Sequence, residues 1–92
     1  MSTIQVIRAL EVSINDIVTD YINGMYLEDD VLAISWHAGK IEVTADKKEN
    51  IKVGKDTEIY PLKDLVRIGD DGQPEEDVDK ISEIANSWIF LD

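Results

Sequence analysis

The sequence predicts an α+β fold, a small antiparallel sheet of three to four strands with an N-terminal and a C-terminal helix. Three patterns carry that expectation. Apolar residues recur at spacings of three and four over residues 3–22, alternate with polar ones over 31–46, and return to helical spacing after Pro74. At 92 residues there is room for one domain, residues 1–92, and one core.

In the first segment Ile4, Ile7, Leu10, Ile14, Ile17, Val18 and Tyr21 share one helical stripe. Ser2 or Thr3 suits the N-cap, and Asn23-Gly24 supplies a stop that tolerates the left-handed region. A strand competes for the first dozen residues, because Ile4, Val6, Leu10, Val12 and Ile14 all fall on even positions. Arg8 interrupts that alternation and the helical period persists, so the helix is preferred.

Leu32, Ile34 and Trp36, then Ile41, Val43 and Ala45, define two alternating strands, Val31–Trp36 and Lys40–Asp46. The short link His37-Ala38-Gly39 makes them a hairpin with His37 at its turn. A third strand is expected around Ile51–Val53 and a fourth over Thr57–Tyr60, closed or held to an edge by Pro61. Leu62–Ile68 reads equally as a turn of helix or a last strand, before the loop Gly69-Asp70-Asp71-Gly72-Gln73. Pro74 suits the first position of the C-terminal helix, with Glu75, Glu76 and Asp77 favoured by its macrodipole. Val78, Ile81, Ile84, Ala85 and Trp88 form its apolar stripe.

Charge is the outstanding compositional feature: 20 Asp and Glu stand against 9 Lys and Arg, a net of −11. It is unevenly laid out, net −6 over residues 1–46, +2 over 47–67 and −7 over 68–92. Such a molecule is drawn to basic protein surfaces and repelled by free nucleic acid over most of its area. The absence of cysteine removes disulfides, thiolate nucleophiles and sulfur-based zinc sites. No apolar run reaches the ~18 residues of a spanning helix, and Met1-Ser2-Thr3-Ile4-Gln5 lacks the pattern of a signal peptide. A cytoplasmic protein with no membrane partner is expected.

Catalytic signatures are missing. The single His37 has no cysteine beside it and no pocket at a turn. Asp70-Asp71-Gly72 next to Glu75-Glu76 invites a calcium loop, but Arg67 and Gly69 stand where oxygen ligands belong. Nucleophile-elbow serines and phosphate-binding glycine loops are absent too. A non-enzymatic protein without cofactors or metal is expected. Its candidate partner-binding residues are Tyr26, Glu28, Asp29 and Asp30, aromatic and acidic side chains after Gly24, together with Asp70 and Asp71. The alternative for the first group is a helix end packing onto the sheet. Lys47, Lys48 and Lys52 open the only net-basic stretch and are candidate phosphate contacts; edge-strand lysines that discourage aggregation explain them equally well.

Taken whole, from Met1-Ser2-Thr3-Ile4-Gln5-Val6 through Ile59-Tyr60-Pro61-Leu62-Lys63-Asp64 to Trp88-Ile89-Phe90-Leu91, the chain resembles the eighth family of phage-encoded anti-CRISPR inhibitors of type I-F systems. The resemblance lies in the complete chain, its length and its acidity rather than in a motif. It implies a non-enzymatic inhibitor that binds the multi-subunit surveillance ribonucleoprotein at its backbone and tail subunits, contacts guide RNA, and blocks target DNA hybridisation without binding free DNA. The other reading of the same charge is an acidic immunity-type protein that neutralises a basic nuclease or toxin.

Overall fold

The computed structural model describes residues 2–88; Met1 and residues 89–92 lie outside the described part. Helix α1 spans Thr3–Ile22 and is capped at both ends by its own sequence. Ser2 Oγ accepts from the Gln5 backbone N–H at 3.3 Å while Gln5 Oε1 accepts from the Ser2 N–H at 3.2 Å, a reciprocal capping box. At the other end Met25 N–H donates to the Asp20 carbonyl and Gly24 N–H to that of Tyr21, a Schellman motif. Gly24 holds the left-handed φ of 83° that this motif requires.

Strand β1 (Asp30–His37) pairs antiparallel with β2 (Lys40–Lys47), placing Leu32 opposite Ala45, Ile34 opposite Val43 and Trp36 opposite Ile41. The predicted alternation thus becomes three cross-strand apolar pairs on one face. Only Ala38 and Gly39 connect the strands, at φ of 53° and 78°, the signature of a type I′ turn. His37 is therefore the last residue of β1, opposite Lys40, and not a turn residue. Strand β3 (Thr57–Pro61) pairs on the other side of β1, so the order is β2-β1-β3.

The predicted strand around Ile51–Val53 does not form; a 3₁₀ turn over Lys48–Asn50 leads instead into an irregular segment. Both edges of β1 are taken by β2 and β3, and the segment before Gly54 pairs with neither of those edge strands. Leu62–Ile68 resolves into both of its readings in succession. A 3₁₀ turn over Leu62–Leu65 buries Leu62 and Leu65 completely, because i and i+3 eclipse in that geometry. Strand β4 (Val66–Ile68) follows and forms a separate two-stranded sheet with β5 (Pro74–Glu76).

Pro74 therefore opens an edge strand and not the last helix, where a missing N–H is equally tolerated. Helix α2 spans Val78–Ser87, and Asp77 is its N-cap, accepting from the Lys80 N–H at 3.1 Å. The Asp77 N–H donates to the Leu65 carbonyl at 2.9 Å, tying the helix start to the 3₁₀ turn. One core joins Leu10, Ile14 and Val18 of α1 to Leu32 and Ile34, to Leu62 and Leu65, and to Ile81, Ile84, Ala85 and Trp88. Two residues of the predicted stripes lie outside it: Ile4 and Val78 are both mostly exposed. No helix among the described residues is long and apolar enough to cross a membrane.

Candidate functional site

The acidic segment after α1 divides into three environments. Tyr26 is half-buried against the core, as is Tyr21, so the packing alternative accounts for the aromatic rings. Met25 and Leu27 are exposed instead, at 72% and 58%, beside exposed Glu28 and Asp29. Asp30 departs most from expectation: it is only 6% exposed and opens the central strand. Its Oδ2 accepts from the Leu27 N–H at 2.9 Å and its own N–H donates to the Leu27 carbonyl at 3.1 Å. This clamp closes the loop, so Asp30 is a structural residue and not a rim charge. Its Oδ1 is buried without a partner among the described residues.

The same residue sets where the basic segment lies. Asp30 pairs in register with Lys47, so the acidic loop ends where the lysine-rich one begins. Lys47 closes β2, Lys48 opens the 3₁₀ turn and Lys52 follows; all three are exposed. Asp46 holds this segment in shape, its Oδ1 accepting from the Lys47 N–H at 2.7 Å and from Asn50 Nδ2 at 3.2 Å. These bonds, the backbone one above all, hold the Asp46 carboxyl below its ordinary pKa. Exposed Met25 and Leu27, Glu28 and Asp29, and the lysines from Lys47 thus follow one another around this end of the sheet.

Asp70 and Asp71 belong elsewhere, in the β4–β5 loop. Asp71 Oδ1 accepts from the Gln73 N–H at 3.0 Å, which shapes the turn before Gly72 at φ 79°. In the neighbouring ladder Arg67 Nε donates to Glu75 Oε1 at 2.8 Å. That is the one ion pair among the described residues, so most of the negative charge is uncompensated within the chain.

Two further features emerge from the fold. Helix α1 runs against its own dipole, with no acidic residue in its first turn, no basic one in its last, and Asp16 and Asp20 exposed in its C-terminal half. Thr19, between them, donates its hydroxyl to Glu76 of β5, which brings the second sheet's carboxylates beside those of the helix. The charge order was legible; the approach of β5 was not. The second feature is a cleft of about 730 Å³ between α1 and the hairpin, with Val6, Leu10, Trp36, Ile41, Val43 and Trp88 in its wall. The Trp88 indole N–H is buried without a hydrogen bond of ordinary geometry among the described residues.

Comparison with protein-family models, curated proteins and solved structures finds no match, so the residues themselves carry the functional reading.

Proposed function

We propose that this protein is a stoichiometric, non-enzymatic inhibitor that docks on a type I-F CRISPR surveillance complex and blocks hybridisation of target DNA in the bacterial cytoplasm. The observation that carries the reading is negative charge left unpaired in the fold, at one end beside a lysine segment. Carboxylates satisfied by internal ion pairs have little attraction left for a partner. Here a single pair among the described residues, Arg67–Glu75, stands against a net charge of −11. Asp20, in the last turn of α1, even opposes the dipole of the helix that bears it, at about 0.3–1 kcal/mol. A surveillance complex holds guide and target in basic channels, which an acidic body can occupy. The lysines beginning at Lys47 suit the phosphates of guide RNA in the same encounter.

Size exclusion of the protein with the assembled complex, with its isolated subunits and with free guide RNA tests this reading. Co-elution with the complex is expected, with inhibition rising linearly to a fixed stoichiometric end point. Trace protein that inactivates an excess of complex, or absence of co-elution, overturns it. Tight binding to one free basic nuclease instead would establish the immunity-type alternative.

A further inference from the structure

Among the described residues strand β2 forms an open edge of the main sheet, eight residues long and free of proline. Sequence alternation alone does not reveal which of its backbone groups face outward. The Trp36 N–H donates to the Asp56 carbonyl, on the β3 side of β1. Even residues of β1 therefore bond toward β3 and odd ones toward β2, since backbone groups alternate sides along a strand. Through the register Ser35–Glu42 and Ala33–Thr44, the even residues of β2 are used. The N–H and C=O groups of Ile41, Val43 and Ala45 point to the open side.

We infer that this edge pairs with β2 of a second copy of the chain, antiparallel about a two-fold axis at Val43, to give a continuous six-stranded sheet. In that register Val43 meets Val43 of the other copy and Ile41 meets Ala45. These are the outward-bonding positions and also the half-buried side chains of the inner face. On the outer face Lys40 lies opposite Asp46, twice by symmetry, and Glu42 opposite Thr44. Charge selects this pairing from its neighbours. A shift of one step sets Glu42 against Glu42, and the opposite shift sets Glu42 against Asp46, both repulsive. The strand carries two lysines against one glutamate and one aspartate, so this edge is neutral on a strongly acidic molecule. Lys40, which elsewhere would guard an edge, is here matched by the other copy's Asp46. Ile41 and Val43 also line the cleft, so the second copy extends an apolar wall already present. The inference is independent of the proposed inhibitory activity.

Sedimentation equilibrium of the full chain should show a concentration-dependent dimer. Lys40→Glu opposes two carboxylate pairs, and Asp46→Lys opposes two lysine pairs. Each alone should raise the dimer Kd about tenfold or more. An equimolar mixture of the two variants restores both attractive pairs and should associate as a heterodimer. Asp46 also holds the Lys48–Asn50 turn, so a second measurement avoids that residue. The chain has no cysteine, and Cα atoms of a bonded cross-strand pair lie about 5.5 Å apart, within disulfide range. Val43→Cys should therefore oxidise to a covalent dimer, whereas Glu58→Cys on the opposite edge strand should remain monomeric. A wild-type protein that stays monomeric at its highest soluble concentration overturns the inference. So does equal cross-linking through the two cysteine positions.

Discussion

Single residues here show where local preference yields to the fold. Ala38 sits at φ 53°, a region costing a non-glycine residue about 1 kcal/mol, because the right-handed twist of the hairpin requires a type I′ turn. Ala38→Asn or Ala38→Gly should therefore stabilise the protein by about 0.5–1 kcal/mol in urea unfolding, with an unchanged m-value. Tyr60 offers a pH-dependent test. Burial, with the hydrogen bond its hydroxyl donates to Glu58, raises the phenol pKa above its ordinary value. A raised folded pKa contributes stability that is complete below the unfolded value, near pH 10, and is lost as pH rises through the folded one. Stability should fall across that alkaline window in the wild type and fall less in Tyr60→Phe. An equal decline in both would show that other groups dominate the alkaline limb.

At the scale of elements, the loop after α1 combines structural and surface roles within three consecutive carboxylates. Reversing Asp30 would place an unpaired ammonium in the core and remove the acceptor of the Leu27 N–H, so a test of binding must spare it. Glu28→Lys with Asp29→Lys changes only exposed positions. If the protein is the inhibitor proposed, its association with the surveillance complex should slow and the salt dependence flatten, because exposed rim charges act mainly on encounter. Unchanged association kinetics would remove this loop from the interface. The neighbouring lysines give a test of opposite sign. Alanine at Lys47, Lys48 and Lys52 leaves the backbone bond to Asp46 intact, so the turn should survive, as circular dichroism can verify. Each phosphate contact on a single strand contributes a salt slope of about −0.7. The triple variant should bind the RNA-loaded complex more weakly and with a shallower slope. Tighter binding would indicate a purely basic protein target.

The whole molecule behaves as a body of net charge −11 with one internal ion pair among its described residues. Self-repulsion then exceeds what internal pairing offsets, and it is screened over about 10 Å at 0.1 M salt. Added sodium chloride should raise the melting temperature while weakening association with a basic partner. Because a pairwise network would lose stability under screening, a melting temperature that falls with salt would contradict this account.

The sequence by itself determined what depends on local pattern. The 3.6-residue period and the Ser2–Gln5 box specify α1, and strict alternation with a glycine link specifies the hairpin and its inner face. Composition alone specifies the acidic surface. What required the tertiary structure is everything settled by competition for partners. Pro74 and its two acidic neighbours carry sound helix-start signals, yet pairing with Val66–Ile68 satisfies their backbone first and moves the N-cap to Asp77. Ile51–Val53 have the apolar character of a strand, yet they join neither edge of the β2-β1-β3 sheet and stay irregular. Asp30 looks like its neighbours Glu28 and Asp29, and only its place at the head of the central strand buries it. Periodicity records a segment's own preference, whereas burial and pairing depend on which other segments reach the same groups.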